Sequence, residues 1–290
     1  MKFIETLING LSMGSTYAMI ALGYTMVYGI AKMLNFAHGD IIMVGGYTIF
    51  ITMSLAGNPI LGLIAAVIFC VALGITIEKI AYRPLRGASP LAVLITAIGV
   101  SYLLQSTAQI IFGSAPKMVN VADLGNVKFA GLTVPVYTLV TLGCSMLIMI
   151  VLSLFVKYTK TGRAMIAVSE DRGAAQLMGI NVNKIIMITF AIGSALAAFA
   201  GLFMLMKSPS LTNTLGAMPG IKAFTAAVIG GIGSIPGAMV GGLLIGVVEA
   251  ISLTIPAIAP YTDAIEFLIL IIILLVRPTG ILGKKRREKV

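Results

Sequence analysis

The sequence predicts an all-α, polytopic integral membrane protein with about eight transmembrane helices, some of them broken or re-entrant. Of its 290 residues, 59% are hydrophobic and only 10% are charged, and the mean hydropathy is +1.06. Long uncharged runs recur along the chain, and the basic residues cluster in short segments between them. Soluble domains carry about 25% charged residues. With so few charges the chain cannot cover a water-exposed surface, so most of its surroundings must be lipid.

The uncharged runs define the spans, because a helix needs about 20 apolar residues to cross a hydrocarbon core of roughly 30 Å. The runs without Asp, Glu, Lys or Arg are Thr6–Ala31, Ile41–Ile77, Gly87–Pro116, Phe129–Val156, Ile185–Met206 and Ala223–Val248. A further stretch, Pro256–Val276, ends in the strongly apolar Phe267–Val276. Ile41–Ile77 is long enough for two spans, with Gly57-Asn58-Pro59 as the turn between them. These runs are uniformly apolar rather than alternating, which favours helices over a barrel.

The first run also resembles a signal peptide in position. It is too long for a signal-peptide core and lacks an A-x-A cleavage site, so we expect it to remain in the mature protein.

Basic residues predict the orientation, because Lys and Arg are retained on the cytoplasmic side of short loops. Fourteen of the 20 lie in Glu78–Ala88, Lys157–Lys184 and Arg277–Val290. The loops around Gly113–Gly131 and Lys207–Lys222 hold two each, which fits an outside location. We therefore expect a cytoplasmic C-terminus and an N-terminus outside. The net charge of +10 then faces anionic lipid, and the absence of Trp argues against a nucleic-acid surface.

The sequence shows no energy source for transport within this chain. It contains no G-x-x-x-x-G-K-[ST] phosphate-binding loop, so an ATP-driven transporter would need a partner that binds ATP. The ionisable residues expected near membrane depth are few, namely His38, Asp40, Glu249, Asp263 and Glu266. A lone histidine and scattered carboxylates make a membrane enzyme or a metal site improbable. We predict no catalytic residues, no metal and no cofactor bound by this chain.

Two polar or glycine-rich interruptions fall inside apolar sequence. Asn35-Phe36-Ala37-His38-Gly39-Asp40 is either a broken helix that lines the substrate path or an ordinary cytoplasmic turn. Gly230–Gly237 is either a second broken helix or a smooth surface for helix packing, and neither of its apolar flanks was expected to span the bilayer alone. Met-Val-Gly-Gly follows each interruption, at Met43 and at Met239, which favours two structural repeats, inverted in the membrane. The predicted translocation path comprises Asn35, His38, Asp40, Gly230, Gly231, Gly233 and Ser234.

The segment 157–184 contains a predicted short helix. Ser169 is a suitable N-cap, Glu170 and Asp171 suit the positive end of the helix, and Gly179 would end it. Its predicted apolar face is Ala174, Ala175, Leu177 and Met178. Such a helix either docks a partner protein or lies on the lipid surface, and the pattern alone leaves both open.

Several motifs together resemble a known family. They are Asn35–Asp40, Tyr82–Gly87 with Ser89-Pro90, Thr161–Asn181, Gly220–Gly237 and Arg277–Gly280. In this order they are similar to the permease subunits of branched-chain amino acid ABC importers, in particular the shorter of the two paralogous permeases. The resemblance covers essentially the whole chain, as a single transmembrane permease domain over residues 1–290, with a coupling segment at 157–184 and a basic cytoplasmic tail at 277–290.

The resemblance implies a mechanism and a set of partners. A paralogous permease would complete the pore, two cytoplasmic ATPase subunits would bind ATP, and an extracytoplasmic binding protein would deliver leucine, isoleucine or valine. It also implies a bacterial or archaeal cytoplasmic (inner) membrane. The residues placed in the ATPase groove are Glu170, Asp171, Arg172, Ala174, Ala175, Met178 and Gly179. Related permeases of urea and short-chain amides remain an alternative, and a secondary carrier that works alone is another.

Overall fold

The computed structural model describes residues 2–121, 125–129 and 132–283, and this part of the chain forms a helical bundle with two small strand pairs. The helices are α1 (Lys2–Ala31), α2 (His38–Ala56), α3 (Pro59–Ile77), α4 (Pro90–Phe112), α5 (Val136–Tyr158), α6 (Lys160–Glu170), α7 (Arg172–Leu177), α8 (Val182–Lys207), α9 (Ala217–Gly230), α10 (Ile235–Thr254) and α11 (Thr262–Val276). The strands are β1 (Lys117–Met118), β2 (Asn126–Phe129), β3 (Leu132–Pro135) and β4 (Ser210–Leu211). β1 pairs with β4 and β2 with β3, both antiparallel.

Seven helical segments of the described chain are long and apolar enough to cross a membrane, which confirms the predicted polytopic class. They are α2, α3 extended to Leu85, α4, α5, α8, α10, and Ala259–Val276 around α11. Helix α1 is 30 residues long, about 45 Å at 1.5 Å per residue, and lies in the middle of the bundle. Helix α9 has only 14 residues, too few to cross alone.

The predicted turn at Gly57-Asn58-Pro59 is confirmed. Gly57 adopts a left-handed conformation (φ +62°) and ends α2, which glycine does without steric cost. Asn58 then caps α3, its side-chain oxygen accepting from the backbone N–H of Ile60 at 2.9 Å, and Pro59 occupies the first helical position. Three consecutive residues therefore stop one helix and start the next.

Helices α1 and α10 pack along each other through glycines. A Cβ added to Gly14 of α1 would lie 2.7 Å from the Cα of Leu243, and one added to Gly10 would lie 3.0 Å from the Cα of Val247. Gly242 and Gly246 of α10 make equally close approaches, to Ala18 and Gly14. In lipid, helices associate through close backbone packing of this kind rather than through a hydrophobic driving force.

The described parts of the three basic segments lie at one end of the bundle, which we call the basic end. Arg86 contacts Glu78 and Asn183, at the start of α8. Arg172 reaches the last carbonyls of α1. The strand pairs lie at the opposite end, where the N–H of Val119 donates to Pro209 at 2.8 Å. Residues 284–290 of the predicted tail lie outside the described residues.

The start of α1 and residues 277–283 lie at opposite ends of the bundle. The start of α1 is at the end opposite the basic end, where the Glu5 carboxylate accepts from the N–H of Thr133 at 3.1 Å. Residues 277–283 lie at the basic end against α9: the N–H groups of Ile281 and Leu282 donate to Ile229 and Gly230 at 2.8 and 3.0 Å. These bonds satisfy carbonyls that the last turn of a helix leaves without partners. The tail thus has a packing role beyond a charge signal.

Candidate translocation pathway and coupling surface

The first chain break is three residues earlier than predicted. Helix α1 ends at Ala31 and α2 begins at His38, so the irregular segment is 32–37 rather than Asn35–Asp40. Lys32 adopts a left-handed backbone conformation (φ +53°), which stops α1. Asn35 lies in the break, whereas His38 and Asp40 belong to the first turn of α2, where an acidic residue suits the positive helix end.

The start of α2 lies against the middle of two long helices. The His38 imidazole fills a space left by glycine: a Cβ on Gly23 of α1 would lie 2.6 Å from its Cε1, and one on Gly193 of α8 would lie 3.7 Å from it. The Tyr24 ring meets the imidazole edge-on at 4.9 Å. The break therefore returns alongside α1 before α2 begins. This supports the broken-helix interpretation over an ordinary turn at the membrane surface.

The polar residues of this region are held by protein partners. The Tyr82 hydroxyl donates to Asn35 Oδ1 at 2.8 Å, and the Gln105 amide donates to Asp40 Oδ1 at 2.8 Å. His38 is buried, and its Nε2 makes no hydrogen bond to any residue that the structure describes. All three residues are buried, and they shape the break.

Helix α9, which is too short to cross a bilayer, starts beside the first turn of α2. The sequence did not predict this helix start. Gly39 of α2 packs against α9, since a Cβ on Gly220 would lie 3.2 Å from the Gly39 Cα. Neither helix start, after Ala37 or after Gly216, has a side-chain cap. Two positive helix ends therefore face each other inside the bundle. The outside loop predicted around residues 207–222 is therefore shorter, because from Ala217 onward the chain belongs to α9.

The second predicted break exists and is shorter than expected. Gly231 and Gly233 have positive φ angles of +107° and +93°, and Ser234 caps α10 by accepting from the N–H of Gly237 at 3.2 Å. The expectation that neither flank spans the bilayer is wrong for α10, which runs 20 residues through Glu249 to Thr254. It holds for α9. The Glu249 carboxylate, late in this helix, pairs with Lys222 at 3.1 Å.

The two groups of predicted path residues are therefore apart. Gly233 packs beside Gly29, nearly two turns along α1 from Gly23, and Gly231 lies under the chain at 279–283. Gly230, Gly231, Gly233 and Ser234 thus form a closed junction at the basic end, while Asn35, His38 and Asp40 surround the start of α2. The two Met-Val-Gly-Gly sequences both place glycines at close helix contacts, Gly45 against Ala198 and Gly242 against Ala18. An inverted repeat stays a prediction.

The coupling segment forms two helices instead of one. The N-cap of α7 is Asp171 rather than the predicted Ser169: its backbone is extended and its carboxylate accepts from the N–H of Ala174 at 3.0 Å. Ser169 instead lies in the last turn of α6 and donates to the Ile166 carbonyl. Glu170 ends α6. Gly179 ends the segment as predicted, with a φ of +81°.

The predicted apolar face of α7 splits between inside and outside. Ala175 is buried, whereas Ala174 is exposed and the exposed fractions of Leu177 and Met178 are 90% and 82%. A separate groove of about 530 Å³ lies between α7 and the start of α8, lined on the α7 side by Arg172, Gly173 and Gln176. Large apolar side chains this exposed mark a surface that contacts either a partner protein or the lipid surface.

Arg172 lines this groove, and its guanidinium reaches α1. Its guanidinium donates to the carbonyl of Ile30 at 3.3 Å and also to that of Ala31. A cation at these carbonyls complements the negative end of the α1 dipole. Burial lowers the pKa of Arg172 from its ordinary value, yet a guanidinium stays protonated in proteins. One residue of the coupling segment is thus bonded directly to the central helix.

A buried ion cluster was only partly foreseen. Lys222 of α9 pairs with Asp263 at 2.8 Å, Glu249 at 3.1 Å and Glu266 at 3.3 Å, joining α9 to α10 and α11. Glu266 is fully buried, and one oxygen each of Glu249 and Glu266 has no partner among the described residues. From the sequence we predicted that the three carboxylates lie near membrane depth, but we placed Lys222 in a loop. A single lysine inside an apolar helix was the available signal.

A multi-pass bundle with interrupted helices, two helices that start inside it and an exposed short helix at its basic end is the architecture of a membrane permease. The chain belongs to the family described as "Branched-chain amino acid transport system / permease component", which matches residues 6–274. This confirms the family suggested by the motifs.

Named relatives cover nearly the full length. The high-affinity branched-chain amino acid transport system permease protein BraD of Pseudomonas aeruginosa is 45% identical over 99% of this chain and 98% of its own. The corresponding protein LivH is 43% identical in Salmonella typhimurium and 41% identical in Escherichia coli K12, with the same coverage.

Proposed function

We propose that this chain is the membrane-spanning permease subunit of an ABC importer that carries leucine, isoleucine and valine into the cell. The observation that carries this proposal is a full-length permease fold with no phosphate-binding loop, whose coupling segment presents an exposed apolar pair at the basic end. Relatives with nearly complete coverage are named as branched-chain amino acid permeases. ATP is bound by partner subunits, and this chain catalyses no reaction.

The same reasoning assigns surroundings and partners. The protein lies in the cytoplasmic (inner) membrane of a bacterium or archaeon, with the basic end and the C-terminus in the cytoplasm, because the described parts of the three basic segments meet at that end. Its partners are a paralogous permease, two cytoplasmic ATPase subunits and an extracytoplasmic binding protein.

The test is transport by the reconstituted complex. Proteoliposomes holding both permeases and the ATPase subunits, with the binding protein outside, should accumulate radiolabelled leucine only when ATP is supplied to the ATPase side. Urea offered in the same assay should not accumulate. Leucine uptake driven by an ion gradient with this chain alone would show a secondary carrier instead, and preferred uptake of urea would overturn the substrate class.

We assign the ATPase contact to the exposed outer side of α7. Leu177 and Met178 extend outward from a helix whose start is fixed by Asp171 and whose end is fixed by Gly179. Helix α7 is short, is capped at its start and is held in the bundle by buried Ala175. It can therefore move as a rigid body when the ATPase subunits move. Glu170 and Ala174 lie at its exposed margin.

Replacing Leu177 and Met178 together with serine should prevent copurification of the ATPase subunits. The pair offers most of the exposed apolar area on α7, and burying one such side chain is worth roughly 1.5–3 kcal/mol. Pull-down from detergent extract measures the loss. The matched control is Met118→Ser with Val127→Ser, an exposed apolar pair at the opposite end. Undiminished copurification of the Leu177 and Met178 variant would place the ATPase contact elsewhere.

Arg172→Met should separate ATPase binding from transport. The change removes charge-assisted bonds to the end of α1, worth about 1.5–3 kcal/mol, while the outward face of α7 stays intact. We expect the ATPase subunits to copurify and hydrolyse ATP while leucine uptake falls about tenfold or more. The control is Arg163→Met, an exposed arginine on α6. Equal uptake by the two variants would mean that the contact with α1 does not transmit the movement.

A further inference from the structure

A cavity lies at the end of the bundle opposite the coupling segment. It has a volume of about 270 Å³, is open on one side, and is lined by residues of α1, α5, α8 and α10. Thr6 near the start of α1, Tyr137 at the start of α5, Lys207 at the end of α8 and Thr254 at the end of α10 line it. All four positions are at the far end from Ala31 and Arg172. In the proposed orientation this is the side on which the binding protein delivers substrate.

The walls of the cavity are polar for a site between membrane helices. Side chains with hydroxyl or amide groups line it from both α1 and α5, among them Asn9, Ser12 and Thr138. Thr141 also lines it, is 3% exposed, and its hydroxyl has no hydrogen-bond partner within the described chain. A buried hydroxyl without a partner is costly, so a polar occupant is expected to satisfy it.

One charged side chain and one apolar patch complete the lining. Lys207 is the charged residue among those described around the cavity; it is exposed, it lies within electrostatic range of Glu249 and Lys222, and it forms no ion pair within the described chain. Met13, Phe203 and Leu253 provide an apolar wall. A cation, hydrogen-bonding groups and an apolar wall are the complements of a carboxylate, an ammonium group and an aliphatic side chain.

We propose that this cavity binds the transported amino acid as a zwitterion, with Lys207 holding its carboxylate. The hydroxyls of α1 and α5 and the Asn9 amide accept hydrogen bonds from its ammonium group, and Thr141 gains its missing partner. The aliphatic side chain packs on Met13, Phe203 and Leu253. The volume lies just below the usual range for small-molecule sites, roughly 300–1,000 Å³, as suits an occupant of amino-acid size. This inference rests on the proposed function and assigns it a substrate site.

Two variants test the site by transport in the reconstituted complex. Lys207→Met should raise the KM for leucine about tenfold or more, because a charge-assisted bond to the carboxylate is lost. Thr141→Val keeps the shape of the side chain and should raise KM less. The control is Lys128→Met, an exposed lysine of β2 that does not line the cavity. An unchanged KM in Lys207→Met, with wild-type complex importing leucine, would overturn this inference and leave the proposed function intact. Failure of the wild-type complex to import leucine would instead refute the proposed function.

A labelling experiment reads occupancy without transport and serves if Lys207→Met fails to assemble. Asn9→Cys, made with the exposed Cys144 changed to serine, places a thiol on the cavity wall. A negatively charged thiosulfonate reagent should label it, and leucine delivered by its binding protein should slow the labelling, whereas ribose should not. Equal labelling with and without leucine would overturn the inference. If labelling instead slows as the fraction of anionic lipid in the liposomes is raised, the occupant is a lipid headgroup. That result would also overturn the inference.

Discussion

Gly246→Val is expected to prevent the chain from accumulating as a folded membrane protein. Gly246 faces Gly14 and Gly10 across a close helix contact, and a side chain there would meet main-chain atoms of α1. Main chain cannot move aside as a flexible side chain can, so α1 and α10 must separate. Overpacking costs typically 1–3 kcal/mol, and a clash with backbone should exceed about 3 kcal/mol. Because α1 also contacts α5, α8 and α9, the loss spreads through the bundle.

The measurement is the amount of monodisperse protein recovered by gel filtration in detergent. Gly99→Val and Gly143→Val are matched controls, since a Cβ at either position meets nothing within 4 Å. Both lie in spans, on α4 and α5, so the substitution and its lipid surroundings are comparable. Wild-type recovery of Gly246→Val would show that α1 and α10 do not pack as described.

Lys222→Met is expected to have the next largest effect. It leaves Glu249, Asp263 and Glu266 facing one another without the ammonium that they share. Removing one partner of a buried ion pair costs about 3–5 kcal/mol, because the remaining charge stays out of water. We expect a large fall in the midpoint of thermal unfolding, measured by fluorescence in detergent, together with detachment of α11 from α9 and α10.

The double variant Lys222→Met with Glu266→Gln separates charge from packing. Glu266 is fully buried, so neutralising it removes the most costly remaining charge and should recover part of the lost stability. Asp263→Asn alone is the control: the side chain of Asp263 is 52% exposed, and solvent screens its pairing to within about 1 kcal/mol. A Lys222→Met protein as stable as wild type would show that the cluster carries no net stabilisation.

Helix α1 connects the two proposed sites. Its first half lines the cavity opposite the basic end, its middle holds the imidazole of His38, and its last carbonyls accept from Arg172. A rigid helix of this length carries a displacement of the coupling segment to the cavity without a separate relay. The Arg172→Met and Lys207→Met variants therefore test the two ends of one mechanical element.

The sequence by itself determined the class, the spans and the helix ends that depend on local chemistry. Uncharged runs of about 20 residues can be satisfied only in lipid, and Gly57-Asn58-Pro59 and Gly179 act through their own backbone preferences. The basic segments also followed from sequence, because their charge is excluded from the bilayer wherever the helices pack. The family resemblance depended on the same short motifs and is confirmed by the full-length match.

The tertiary structure decided what depends on contacts between distant residues. It placed His38 beside Gly23 and Gly193, and it made Lys222 a buried ion partner of Glu249 and Glu266. It also chose Asp171 over Ser169 as the helix cap, since α6 continues through Ser169 before the chain turns toward α1. No local pattern contains this information. A lysine in an apolar run can lie in a loop or in a buried ion pair, and a serine before two acidic residues can cap a helix or lie within one. The residues whose contacts decide between these arrangements are far away in the chain.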